Sequence, residues 1–157
     1  MQPATPQTDA IRAIIQSQMG LEGPLLPILH ALQREYGHVP QDAVPLIADA
    51  LNIGRAEVHG VMTFYHDFRE VPAGRHVVKI CRAEACQARG SEAVAEAALA
   101  RLGLAWHGTS ANGAVTVEPV YCLGLCASGP AAIVGEDHLV ARLDEPRLTA
   151  MLKDLGA

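Results

Sequence analysis

Aromatic residues make up only 4% of this 157-residue chain and charged residues only 18%. No apolar run approaches the roughly 18 residues that a membrane-spanning helix needs, so no direct membrane insertion is expected. The start, Met1 to Asp9, has no basic segment followed by an apolar core. No secretory leader is therefore expected, and the chain reads as soluble and cytoplasmic. A basic patch is missing too: twelve Lys and Arg are scattered among seventeen Asp and Glu, for a net charge of −5. Phosphate backbones are bound by concentrated cations, so no nucleic-acid partner is expected. There is no G-x-G-x-x-G, no phosphate loop and no nucleophilic triad. Half of the residues are nonetheless hydrophobic, enough for an ordered core, and the length suits one ordinary domain or two small ones.

Cysteine is scarce but arranged. The four cysteines form two local pairs, Cys81-Arg-Ala-Glu-Ala-Cys86 and Cys122-Leu-Gly-Leu-Cys126, separated by thirty-five residues, and none is left over. In a reducing compartment such pairs point to metal or redox chemistry before structural disulfides. The C-x-x-C of a dithiol redox site is absent, and so is the C-x4-C-x2-C run of plant-type ferredoxins. Zinc knuckles commonly use C-x2-C, narrower than either spacing here. Two isolated bidentate arms suit a two-iron rhomb, each arm chelating one iron. Spacing favours a [2Fe–2S] cluster over zinc, with disulfides third, and makes Cys81, Cys86, Cys122 and Cys126 the candidate ligands. Gly90, Gly124 and Gly129 offer turns whose amides can face thiolate sulfur, or serve as plain turns. Leu123, Leu125 and Ala127 offer a dry wall. Arg82 and Glu84, inside the first loop, are read as solvated loop charges, the alternative being that the cation stabilises a reduced cluster and the anion opposes it.

The apolar spacing divides the chain. Residues 1–8 read as a loose tail. From Thr8 to Phe68 the period is helical: Ile11, Ile14, Ile15 and Met19 share a face, and a second stripe from Leu25 to Leu32 ends at Gly37. A third helix is expected from Pro40 to about Asn52, and a fourth from Arg55 toward Phe64 and Tyr65. Val71-Pro-Ala-Gly74 breaks the pattern. Strands are then expected over 76–81, around Ala105-Trp-His, over 115–122 with its end on a cysteine, and as a hairpin turning at Gly135-Glu-Asp137. Helices are expected from an N-cap at Ser91 to about Leu102 and from Pro146 to Leu155. The expected fold class is α+β: an N-terminal helical bundle, residues 1–72, followed by a domain over residues 73–157 that holds the candidate [2Fe–2S] cysteines and whose β-α-β then β-β-α order resembles a thioredoxin-like fold.

Three segments carry a family resemblance: Pro24 to Pro40, Ile47 to Ile53 and Glu57 to Tyr65. Together with C-x4-C, C-x3-C and the Gly129-Pro130 that follows, they resemble the small [2Fe–2S] subunit of NADH:quinone oxidoreductase (complex I) and its relatives in NAD-linked hydrogenases and formate dehydrogenases. The likeness covers roughly residues 10–155. His59 to Arg69 and Cys81 to Gln87 are most similar to the gamma subunits of soluble NAD-dependent, molybdenum-containing formate dehydrogenases. The resemblance implies that the four cysteines bind the cluster. It also implies a partner that carries FMN and binds NAD(H), with a larger molybdenum-containing catalytic subunit in the same complex. The chain itself would be a non-catalytic electron-transfer subunit, with no evident site for NAD or formate. A free-standing thioredoxin-like ferredoxin and a zinc-stabilised interaction module are the competing readings.

The remaining candidates have quieter expectations. With four cysteines present no histidine ligand is needed, so His30, His38, His59, His66, His76, His107 and His138 are read as surface or packing residues. His59 and His66 fall on one side of a helix if it continues unbroken, where they could face a partner. Phe64, Tyr65 and Phe68 are expected to pack the bundle against the second domain, a partner interface being the alternative. Tyr121 either shields the cluster or is buried in its strand.

Overall fold

A computed structural model describes residues 6–157. It divides into two compact units, Met1–Pro72 and Ala73–Ala157. The first is helical: α1 (Pro6–Gln18), α2 (Leu25–Tyr36), α3 (Ala43–Leu51) and α4 (Arg55–Phe64). Each helix buries one apolar stripe. Ile11 and Ile15 from α1, Ile28, Leu29 and Leu32 from α2, Ile47 from α3 and Val58 from α4 meet in one core. Helix ends follow local chemistry. Gly37 stops α2 at φ 74°, and Asn52 stops α3 at φ 53°, the left-handed conformation that favours these two residues. The Glu57 carboxylate accepts the Gly54 amide at 2.6 Å and starts α4. After α4 the chain returns along α2. Gln33 donates to the Asp67 carbonyl at 2.6 Å and accepts the Arg69 amide at 2.7 Å.

The second unit is built on a four-stranded sheet of order β2-β1-β3-β4, with β1 (His76–Cys81), β2 (Val115–Val120), β3 (Ala132–Val134) and β4 (His138–Val140). β1 and β2 run parallel in a register that pairs Cys81 with Val120. β3 lies antiparallel to β1, and β4 antiparallel to β3. A parallel pair requires a crossover. It is made by the one-turn helix α5 (Glu84–Gln87) and by α6 (Ser91–Leu102). α7 (Glu145–Asp154) closes the chain; Asp144 caps it by accepting the Arg147 amide at 2.9 Å, with Pro146 in its first turn. Val78, Ile80, Val115 and Val117 are fully buried between sheet and helices. Among the described residues no helix is long and apolar enough to cross a membrane.

Several sequence expectations need correction. α1 begins at Pro6, so residues 6–8 belong to a helix, while the rest of the expected tail lies outside the described residues. α3 begins at Ala43, because Pro40 to Asp42 form a turn instead of a first helical turn. No strand forms around Trp106. His107 takes φ 65°, and the Gly108 amide closes a turn onto the Ala105 carbonyl, which interrupts the extended chain. Ser91 is not a cap: Gly90 at φ 87° occupies that position, and the Ser91 hydroxyl is buried without a partner. β2 stops at Val120, two residues before Cys122.

Candidate metal centre

Because β1 and β2 are parallel neighbours, the chain segments leaving them open at the same end of the sheet. Cys81 is the last residue of β1; its amide donates to the Ala131 carbonyl at 2.9 Å, which fixes the thiol's origin on a rigid strand. α5 was not anticipated from the sequence. Its single turn returns the chain so that Cys86 comes back beside Cys81, and the two are 2% and 1% exposed. Ala131 joins them as a buried neighbour, and Ala83, Val120, Leu123 and Leu125 pack around them as a largely dry wall. Ala127, expected in that wall, is exposed instead.

The second pair is delivered differently. Cys122 lies past the end of β2 at φ 102°, a conformation side-chain-bearing residues rarely adopt, at a cost on the order of 1–3 kcal/mol. Strain of this kind concentrates where a side chain must be aimed. Gly124 follows at φ 77° and donates its amide to the Cys122 sulfur at 3.4 Å. A short 3-10 turn over Cys126–Ser128 brings the Cys126 sulfur to 3.6 Å from that of Cys122. Both thiols of this pair are exposed. After the turn comes Gly129, where a side chain would collide with the Cys86 sulfur: a Cβ there would sit 3.0 Å away. Glycine is thus favoured by close approach, which brings the second loop against the first pair.

The electrostatics follow the burial. Desolvation raises the Cys86 pKa above the usual thiol range, helped by its hydrogen bond with Cys81 and by the charges of Cys81 and Cys126. The Gly124 amide lowers that of Cys122, and the hydrogen bond from Cys126 adds to the effect. Cys126 is raised because it is the partner that keeps its proton beside Cys122. The groups of one pair therefore feel those of the other, as members of one site do.

The flanking residues depart from expectation. Arg82 is not a solvated loop charge: its guanidinium makes two hydrogen bonds to Glu92, at 3.0 and 2.6 Å, and stacks 5.0 Å from the Trp106 ring. Tyr121 is 69% exposed, so it is not buried in its strand. Gly90 is a helix cap, and Glu84 is exposed, as expected of a solvated charge. In the helical unit, α4 ends at Phe64 and Tyr65 is extended, so His59 and His66 do not share a helix face. His59 lies 3.5 Å from Glu70. The aromatic trio is linked edge to face, Phe64 to Tyr65 at 5.1 Å and Tyr65 to Phe68 at 6.2 Å, running from exposed Phe64 to Phe68 in the helical unit's own core.

Among the described residues no three His, Cys, Asp or Glu side chains are grouped to hold a single ion. The donors come as two thiol pairs, the set that a two-iron cluster uses. The chain matches the thioredoxin-like [2Fe–2S] ferredoxin family over residues 11–156, and it belongs to that family. It is similar to a subunit of the NADH-quinone oxidoreductase of Rhizobium meliloti, with 35% identity over 85% of this chain and 79% of the relative. A subunit of the NADH-quinone oxidoreductase of Pseudomonas aeruginosa is 37% identical over 69% of this chain and 66% of its own length. A subunit of the NADP-reducing hydrogenase of Solidesulfovibrio fructosivorans is 31% identical over 78% of this chain and 71% of the relative. The crystal structure of an air-oxidised NAD+-reducing [NiFe]-hydrogenase shares the fold, with TM-score 0.67 and 22% identity, over 82% of this chain and 22% of that one. Family membership and the thiol donor set agree, and the cofactor is a [2Fe–2S] cluster.

Proposed function

We propose that Cys81, Cys86, Cys122 and Cys126 hold the [2Fe–2S] cluster and that the chain is an electron-transfer subunit. Its working partner is a protein that carries FMN and binds NAD(H). The observation that carries this reading is the convergence of one buried and one exposed thiol pair at the same end of two adjacent parallel strands. Such a cluster, when bound, takes up and returns one electron at a time, the complement to a flavin that handles two.

The protein's own part is ligation, shielding and orientation. Cys81 and Cys86 present sulfur from a rigid, apolar seat, and the Cys86 thiol must release a proton that burial makes harder to lose. Gly124 aims its N–H at the Cys122 sulfur, a donor that stabilises negative charge there. Gly129 leaves room for the Cys86 sulfur. Residues 1–72 and 73–157 are read as separate working parts, the helical one serving assembly and the other holding the cluster.

The parent complex we favour is a soluble, NAD-dependent formate dehydrogenase with a larger molybdenum-containing subunit. The motifs His59 to Arg69 and Cys81 to Gln87 support it. The names of the relatives from R. meliloti and S. fructosivorans favour a second reading, complex I or an NAD(P)-linked hydrogenase.

Anaerobic purification of the full chain should yield a coloured protein with iron and acid-labile sulfide. Cys122→Ser should remove its visible absorption and its reduced-state paramagnetic signal. A wild-type chain that takes up no iron after reconstitution overturns the assignment. Affinity capture from the native cell decides the parent: a flavoprotein with a molybdenum subunit supports formate dehydrogenase, and membrane subunits select complex I.

A further inference from the structure

The two thiols of the outer pair already face each other. Left-handed backbone at Cys122 and Gly124 folds their loop back on itself. The two sulfurs lie 3.6 Å apart and need to close by only about 1.5 Å to reach S–S bonding distance. Both cysteines are exposed, and so are Tyr121, Gly124 and Ala127 around them. Little packing opposes rotation of either side chain, and a small dissolved molecule reaches both sulfurs. The inner pair is closed to such a molecule. Cys81 and Cys86 are 1% and 2% exposed, with Ala83, Val120, Leu123 and Leu125 packed around them. All four cysteines are free thiols, so access decides which pair exchanges with a dissolved disulfide.

We propose that Cys122 and Cys126 of the cluster-free protein are oxidised to a reversible disulfide by a low-molecular-weight disulfide such as oxidised glutathione, and that this bond closes the site to the cluster until a thiol reductant opens it. The electrons balance over two exchanges. One outer thiol, as its thiolate, attacks the small disulfide. A mixed disulfide forms, the oxidant's S–S bond breaks, and one small thiol leaves with a proton. The other outer thiol then gives up its proton, and its sulfur attacks the protein sulfur of the mixed disulfide. The second small thiol leaves with that proton. Two protein thiols become one disulfide, and one small disulfide becomes two thiols. Sulfurs joined in this way offer iron no thiolate. The gating step therefore rests on the ligand assignment proposed above, whereas the disulfide itself does not.

The test uses the full-length cluster-free chain, reduced anaerobically and then held in glutathione buffers with a rising oxidised share. Unfolding, alkylation of the remaining thiols and non-reducing peptide mass spectrometry should show one disulfide, Cys122 to Cys126, with Cys81 and Cys86 alkylated. Cys126→Ser and Cys122→Ser should each stop at a glutathione adduct on the remaining outer cysteine. Anaerobic cluster transfer from a [2Fe–2S]-loaded scaffold protein, read by visible circular dichroism, should be lost in the oxidised wild type. It should return to the level of the untreated protein after a dithiol reductant. A disulfide that includes Cys81 or Cys86, no disulfide in the most oxidised buffer, or full cluster uptake by the disulfide form overturns the proposal. Failure of the ligand assignment shows separately: the reduced wild type then takes up no cluster, whatever the mass spectrum shows at Cys122 and Cys126.

Discussion

The two thiol pairs of the second unit carry the same chemistry on different foundations. Cys81 and Cys86 are seated on a strand end and a one-turn helix, inside an apolar shell that leaves them 1% and 2% exposed. Cys122 and Cys126 sit on an exposed loop held by left-handed backbone at Cys122 and Gly124 and by one amide–sulfur contact. In the first pair the core holds the sulfurs and resists their ionisation. In the second the backbone itself aims the sulfur and favours ionisation of Cys122. A site built this way joins a rigid inner wall to an outer loop, and the outer loop is the side that solvent reaches.

Small substitutions can break that contrast. Gly129→Ala brings a methyl group to about 3.0 Å from the Cys86 sulfur, which is buried on α5 and would have to give by a few tenths of an ångström. Overpacking of this kind costs about 1–3 kcal/mol, and both the melting temperature and the iron content of the variant should fall. Gly124→Ala meets no atom within 4 Å but is strained at φ +77°, at a cost of about 1–2 kcal/mol. It should lower cluster content less than Gly129→Ala does. Equal losses in iron content would erase the distinction between wall and loop.

Thiol reactivity in the cluster-free protein sharpens the same contrast. Alkylation followed by peptide mass spectrometry should modify Cys122 first and Cys86 last, since the thiolate is the reacting form. Lowering the pH should slow Cys86 before Cys122. Folding raises the Cys86 pKa, so its contribution to stability is complete below the ordinary thiol value and is lost as pH rises through the folded one. The cluster-free fold should therefore melt at lower temperature in alkaline buffer.

The smallest effect is expected away from both pairs. Ser91 is fully buried with an unpartnered hydroxyl. Ser91→Ala should stabilise the fold by about 1 kcal/mol, read as a higher melting temperature, and leave the order of thiol reactivity unchanged.

Much of the fold was legible because it is written in short-range signals. Gly37 ends α2, the β-rich run ending at Cys81 is a strand, Gly135 turns the hairpin, and Pro146 opens α7. The misreadings share a cause. Ser91 has the right residue type for a cap, but Gly90 could take the left-handed position and the serine was drawn into the core. The segment around Trp106 has strand-like composition, yet a left-handed His107 turns it. At the site, the cysteine spacing marked the candidate donors. The Arg82–Glu92 pair left no trace, because its members are ten residues apart with no periodic relation.

By itself the sequence determined that there are two local thiol pairs, that helical periodicity gives way to strands after Val71, and where most helices stop. These depend on bond geometry and on residues a few positions apart. Only the tertiary structure decided that β1 and β2 are neighbours, that one pair is buried and the other exposed, and that Arg82 is matched by Glu92. Burial and adjacency are set by which distant surfaces exclude water together, and no local stretch of chain carries that information.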